Sequence, residues 1–436
     1  MITYYLTLAY RRLLATKGMS IALMLGLGLG VGASMTMITV VYTMSWDPLP
    51  GRSGHLFHPV LDILPSSYPV RAGRDPRVAV TWLDARALLK QGPGYQQAAL
   101  ASGRLLVDSQ TGVPVPFFAR GQYATTSVFD MFGIDLVAGR AWTSAEEGNR
   151  ARVVVLSRSL AARVGFNRSR IGDSIRLGGH SFTVIGIADK WEPRPRFHTD
   201  LQQDAFSVSE DFFVPLALAV DLDLNVASSI FSWSDAVASN SLEDSRSSWL
   251  QFWVQLGDDA EKADYVRFLE NYLHAQVRVG RLERFVPPRL PSLREYLTER
   301  RIVPDDVKLQ LALSIAFLGV SLLNMSALIF ARFVGMSHEI SIRRALGARR
   351  IDIIAQLLSE TAIIGLFGGI IGLLVAWLGV ALVRSQPEDY ASLIRLGPGL
   401  ILPIFMLALV SSLLAALLPA MRATSGRVAM QIKVAE

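Results

Sequence analysis

Charged residues are absent from Gly18 to Trp46, a run longer than the ~20 apolar residues a helix needs to cross a bilayer. Three more spans follow late in the chain, at 307–331, 357–383 and 396–421, with no charge from Leu309 to Ala331, from Thr361 to Val383 and from Leu396 to Met421. Between the first and second runs, from 47 to 306, charges, prolines and glycines recur and no window approaches membrane length. The pattern predicts an α-helical membrane protein with four transmembrane helices plus a large extracytoplasmic mixed α/β domain inserted after the first span.

Within the inserted domain several elements are legible. Val153 to Leu156 reads as a short buried strand, with Ser157 a helix cap for Leu160 to Val164. Ile171 to Leu177 and Ser181 to Ile187 read as two strands around the Gly178-Gly179 turn. Gln251 to Leu256 is another strand. Ala263 to Val277 is an amphipathic helix carrying Val266, Leu269, Tyr272 and Leu273 on one side. The stretch from Trp191 to Asn240 has no legible order.

The second and third runs are joined by a basic hinge, 332–356, whose core from Met336 to Gln356 reads MSHEISIRRALGARRIDIIAQ. Ile340, Ile342, Ala345 and Leu346 fall at helical spacing, and Gly347 is a natural stop after Leu346. This predicts a short amphipathic helix along the membrane face, placed to dock into a soluble partner. Arg343, Arg344, Arg349 and Arg350 put the hinge on the cytoplasmic side, whereas the short loop 384–395 is close to neutral. Both termini, residues 1–17 and 422–436, then lie inside as well. Met1 to Lys17 is either an interfacial helix entering the first span or an ordinary positive flank. Arg11, Arg12 and Lys17 before an apolar run imitate a signal peptide, but the run outlasts an h-region of roughly 7–15 residues.

Composition sharpens this in two places. A mean hydropathy of +0.34 with 51% hydrophobic residues fits membrane spans. A net charge of +6 and a pI near 9.6 would suggest nucleic acid, but arginines flanking the spans explain part of it, so no nucleic-acid partner is expected. There is no cysteine, and disulfides are not needed.

Gly26, Gly28, Gly30 and Gly32 place small residues every four positions in two registers of the first span. That is a packing face for another transmembrane helix, so a bulky residue at Gly28 or Gly32 is expected to weaken a dimer. Asn324, near the middle of the second span, is read as a helix-packing residue, and Glu360 as paired with a hinge arginine such as Arg350. The asparagine's other reading is as a group lining a path.

Catalytic constellations are missing. There is no G-x-x-x-x-G-K-[ST] segment, so no P-loop and no enzyme is expected. His55 and His58 form an H-x-x-H pair without an acidic cluster, read as a surface loop and not a metal site. His338 beside Glu339 reads as a docking or solvated residue. No series of acids or histidines runs through the spans, which argues against a proton-driven transporter. Trp191, Trp233, Trp249 and Trp253 read as core or rim.

The hinge HEISIRRALGARRIDIIAQLLSE entering GLFGGIIGLLVAWLG, with Val128 to Trp142 (VFDMFGIDLVAGRAW) and Val153 to Ile187, resembles MacB/FtsX-type permeases, the membrane subunits of type VII ABC transporters. The resemblance implies a permease dimer on two ATPase subunits, working by mechanotransmission without substrate crossing through the spans. It implies that Glu339, Ile340, Arg343, Arg344, Ala345, Leu346 and Gly347 contact the ATPase. It further implies ATP and Mg on that partner and none on this chain. A periplasmic adaptor, an outer-membrane channel and a bacterial inner-membrane location with the large domain periplasmic complete the expectation. Because the ATPase is fused at the N-terminus in MacB itself, it is expected here as a separate subunit, and a paralogous permease is an alternative to a second copy. Export of a peptide, antibiotic or similar amphiphile leads. A lipoprotein-releasing permease and a signalling subunit controlling a hydrolase or sensor kinase stand as alternatives.

Overall fold

The computed structural model describes residues 16–68, 76–92, 94–108, 115–201, 205–233, 242–243, 246–336, 342, 346–347, 349–386 and 389–425. The chain divides into two units, one of 1–45 with 303–436 and one of 46–302. Most of the reading of Met1 to Lys17, and the tail beyond 425, lie outside the described residues.

The 46–302 unit is built on an eleven-stranded sheet: β1 (Leu56–Phe57), β2 (Val80–Thr81), β3 (Gln96–Val107), β4 (Phe117–Ala124), β5 (Leu136–Gly139), β6 (Val153–Ser157), β7 (Ser174–Leu177), β8 (His180–Ala188), β9 (Phe212–Pro215), β10 (Phe231–Ser232) and β11 (Ser247–Gln255). Its main path runs β1-β11-β3-β4-β9-β6-β8-β5. The pairs β4/β9 and β6/β8 are parallel; those around β3 and β11 are antiparallel.

Six helices of this unit matter here: α1 (Trp82–Gln91), α2 (Val128–Phe132), α3 (Arg158–Arg163), α4 (Leu216–Asp221), α5 (Asp259–Arg278) and α6 (Leu293–Glu299). Successive strand residues point to opposite faces, and both faces are covered. Leu250, Phe252 and Val254 of β11 join Leu88, Leu160, Tyr265 and Leu269 in one core. Trp253, from between them, joins Val128, Phe197, Leu293 and Tyr296 in the other. A sheet buried on both sides reads as continuous apolar strands, which is why VVVL and the β11 stretch stand out in the sequence.

At the centre of the sheet Gly103 and Gly121 face each other across β3 and β4. A Cβ on Gly103 would stand 2.2 Å from the Tyr123 ring, and one on Gly121 2.4 Å from Phe212. The glycines make room for two aromatic side chains to lie over bare backbone.

The legible elements take the expected forms. Ser157 accepts from the Leu160 amide and caps α3, and Gly178-Gly179 turns β7 into β8 with both glycines at positive φ. Trp249 and Trp253 are core residues, and Trp191 and Trp233 are half-buried.

One reading needs correction. His58 is not on a surface loop: it is fully buried, with Nε2 on the Val78 carbonyl and its ring between Trp253 and Tyr296. The missed signal is the apolar pair Leu56-Phe57 just before it, which pairs with β11 as β1 and draws His58 into the core. His55 is 3.2 Å from the Leu256 carbonyl through Nδ1. Burial pulls the His58 imidazole down to about 4 from its ordinary 6.5. A depressed imidazole stabilises the fold above its unfolded value and loses that contribution as pH falls toward the folded one. Between pH 6.5 and 4 this single group is expected to withdraw up to about 3 kcal/mol. Denaturant titrations of the full chain in detergent at pH 7 and pH 4.5 check this, since the drop should be smaller in His58→Gln by most of that amount.

Among the described residues of the other unit, four helices are long and apolar enough to cross a membrane: the first span (Lys17–Met44), the second (Asp305–Gly335), the third (Arg350–Arg384) and the fourth (Ile401–Ser425). The third span begins inside the stretch read as hinge, because Arg350 to Gln356 continues the helix with Asp352 in its first turn. The first span packs chiefly on the third. A Cβ on Gly28 would lie 2.5 Å from Ile371, and one on Gly32 2.5 Å from Val375. In return, Leu27 and Val31 sit over Gly368 and Gly372. Gly30, in the other register, faces Leu318 and Ser321 of the second span, and Ser34 donates to the Ser314 carbonyl there. The glycine face is thus filled by helices of the same chain, and the expectation that it holds two copies together is corrected.

Candidate functional site

The hinge joins the second and third spans, and its described residues are exposed. Leu346 donates its amide to the Ile342 carbonyl, a helical bond, and Gly347 follows at φ +97°. A left-handed glycine directly after the last helical residue is how a short helix is stopped. Ile342 is 46% exposed, Leu346 83% and Ile351 70%, and Arg349 and Arg350 lie beside them. Apolar side chains standing out between arginines have the make-up of a surface that docks into a partner. Of the seven contact residues expected, Leu346 and Gly347 are placed this way, while Glu339, Ile340, Arg343, Arg344 and Ala345 lie outside the described residues, as does His338.

Behind the hinge lies a feature the sequence reading assigned differently. Glu360 does pair with an arginine of the stretch read as hinge, but with Arg332, which the second span takes in, and not with Arg350; the distance is 3.5 Å, with side chains 1% and 8% exposed. Arg350 is exposed at the start of the third span. Gln356, one turn before Glu360, is buried too. An acid this buried must be paired, and its partner here comes from the helix that enters the hinge. The two spans flanking the hinge are therefore tied by charge within two or three turns of it.

Asn324 is exposed and makes no hydrogen bond to another span among the described residues. The inward face of its helix is taken by Leu318, Ser321 and Met325, so among the described residues no other span of this chain holds it.

A second buried charge group, wholly missed by the sequence reading, lies in the 46–302 unit within the stretch that had no legible order. Glu210 accepts through Oε1 from Arg196, from His198 Nε2 at 2.6 Å and from Gln122 Nε2 at 3.2 Å. Arg196 also donates to Ser207. All three charged or titratable side chains are at most 5% exposed. Burial alone pushes the Glu210 carboxyl up, but the charges and hydrogen bonds of His198 and Arg196 hold it well below the usual carboxylate range. Burial pulls His198 down against the attraction of Glu210. The group fastens the loop before β9 to β4, where Gln122 lies.

The MacB-like periplasmic core domain family matches residues 20–271, and the FtsX-like permease C-terminal family matches 311–427. Among curated proteins the chain is 24% identical over 300 residues to the macrolide export ATP-binding/permease protein MacB of Mannheimia succiniciproducens, covering 67% of this chain and 40% of that protein. It is 22% identical over 338 residues to MacB of Rhodopirellula baltica, covering 74% and 47%. The chain thus spans less than half the length of these relatives. Among solved structures, the periplasmic region of MacB from Actinobacillus actinomycetemcomitans aligns with 56% of this chain and 94% of that one, at 15% identity and a TM-score of 0.34. The extracellular domain of the noncanonic ABC-type transporter YknZ from Gram-positive bacteria aligns with 54% and 100%, at 14% identity and a TM-score of 0.35. The outer-domain match covers more than half of the sequence and the permease match takes in most of its last three spans; the chain belongs to the MacB/FtsX-type permeases.

Proposed function

We propose that this chain is the permease subunit of a MacB-like exporter in which a partner ATPase, holding ATP and Mg, drives export of a peptide, antibiotic or similar amphiphile from outside the membrane. The observation that carries the reading is the hinge: exposed Ile342, Leu346 and Ile351 among arginines, closed by a left-handed Gly347. The basic hinge favours a cytoplasmic position, with both termini inside and the 46–302 unit in the periplasm of a bacterial inner membrane. A push on the hinge is carried into the second and third spans together, since Arg332 and Glu360 bind them just behind it. Mechanotransmission needs such a link, because energy enters on one side of the membrane and work is done on the other. An adaptor and an outer-membrane channel complete the path for the cargo. The relatives named for macrolide export support an amphiphilic cargo.

The test is made on the full chain reconstituted with its ATPase. Arg343→Glu and Leu346→Glu are each expected to weaken ATPase binding by roughly tenfold or more, and Glu339→Ala to lower it less, with membrane insertion unchanged in all three. Unchanged ATPase stimulation across the set would refute coupling through the hinge.

A further inference from the structure

At the end of β3 the sheet of the 46–302 unit loses cover on one face. The strand is buried from 97 to 103, after which exposure alternates: Arg104 and Leu106 are open, Leu105 and Val107 buried. Such alternation marks a strand with one face in the core and the other toward solvent. Two loops are fastened to this stretch. On one side Ala227 donates its amide to the Ser102 carbonyl at 2.7 Å. The Asn225 carbonyl there accepts from the Arg104 amide at 3.3 Å and from the Tyr123 hydroxyl at 2.8 Å. On the other side Gly178 donates to the Leu106 carbonyl at 2.8 Å, and Leu177 pairs with Val107. Between them lies a cavity of about 530 Å³, inside the roughly 300–1,000 Å³ of small-molecule sites. Exposed Leu106 and Phe118 give it an apolar surface, and Arg104, His180, Asp223 and Asn225 give it polar groups.

Charge in this cavity is left over. The Arg104 guanidinium lies 4.5 Å over the Phe118 ring and makes no ion pair among the described residues. A guanidinium stacked on an aromatic ring keeps its in-plane donors for a carboxylate. Asp223 makes no ion pair either, so two opposite charges line one cavity without meeting. The aspartate stands one residue beyond Leu222, the cap of α4, at φ +50°. Its amide donates to the Val220 carbonyl and that of Leu224 to the Ala219 carbonyl. This is the pattern that ends a helix in a left-handed residue, a position that favours glycine. Aspartate is strained there, and no partner among the described residues uses its carboxylate.

We propose that this cavity binds a small zwitterionic amphiphile, with its carboxylate on Arg104, its ammonium on Asp223 and its apolar body against Leu106 and Phe118. A ligand of single charge would leave one of the two groups facing its like, whereas a zwitterion satisfies both. The proposal rests on the export reading in taking such a ligand as cargo, and it narrows that cargo to molecules carrying both charges.

Binding is measured by calorimetry on the full chain in lipid nanodiscs without ATPase, with the dipeptide leucyl-phenylalanine as the probe. The free dipeptide is expected to saturate one site per chain with a Kd on the order of 10–100 μM. Its N-acetylated and C-amidated forms should each bind roughly tenfold more weakly. Arg104→Gln is expected to weaken the free and N-acetylated forms roughly tenfold and to leave the C-amidated form almost unchanged. Asp223→Asn should weaken the free and C-amidated forms and spare the N-acetylated one. Thermal unfolding of both variants should match the unaltered chain, since neither side chain has an ion-pair partner within it. No saturable binding of the free dipeptide, equal binding of free and blocked forms, or unchanged binding in both variants would each overturn the site. Because no ATPase is present, a failure of hinge coupling leaves this result untouched.

Discussion

Glu210→Ala is expected to destabilise the 46–302 unit by about 3–5 kcal/mol, because it leaves the Arg196 guanidinium buried without its carboxylate. Against a typical domain stability of about 5–15 kcal/mol, that is a large share. The loss has two parts. Arg196 and His198 keep their buried positions but lose the oxygen that accepts from both, and Gln122 loses one of its two acceptors, keeping Ser102. Glu210→Gln retains the shape and one accepting oxygen, so its cost should fall clearly below that of alanine. Glu192→Ala is the control, since Glu192 pairs with Lys190 and Arg194 where all three side chains are substantially exposed; it should cost no more than about 1 kcal/mol. Denaturant unfolding followed by tryptophan fluorescence reads all three, with the Trp191 ring 4.7 Å from that of His198 as a reporter. Equal effects of Glu210→Ala and Glu192→Ala would remove the buried group as a structural fastener.

Gly32→Leu is expected to disrupt the membrane unit itself. Its first added atom would stand 2.5 Å from the Val375 side chain and 2.8 Å from the Gly372 carbonyl. That carbonyl belongs to helix backbone and cannot swing aside, so the first and third spans must separate. Overpacking by a methylene or two already costs about 1–3 kcal/mol, and leucine adds more atoms than that in a direction with no room. Gly28→Leu meets Ile371 and the Gly368 carbonyl in the same way, whereas Gly26→Leu has nothing within 4 Å and should be neutral. Thermal unfolding of the detergent-solubilised monomer distinguishes the variants. Should Gly28→Leu and Gly32→Leu leave monomer stability unchanged and only lower dimer content, the in-chain packing would be wrong.

What the sequence determined by itself is what depends on neighbours along the chain. Uncharged runs declare the spans because the cost of a charge in hydrocarbon is set residue by residue. The basic hinge, its helical spacing and the stop at Gly347 are local chemistry, as are the Ser157 cap and the Gly178-Gly179 turn. The family resemblance rests on the same local motifs. Tertiary structure decided everything that needs a partner far away in sequence. Which helix fills the Gly28 and Gly32 face depends on the third span, more than three hundred residues later. Glu360 takes Arg332 instead of the nearer Arg350 because burial leaves only an inward-facing cation able to reach it. Glu210, Arg196 and His198 look like ordinary loop residues until β9 is laid beside β4 and Gln122 closes the group. His58 changes from loop histidine to core histidine once Trp253 and Tyr296 enclose it. Burial is a property of the assembled fold, and it is burial that turns a charge or a glycine from tolerated into required.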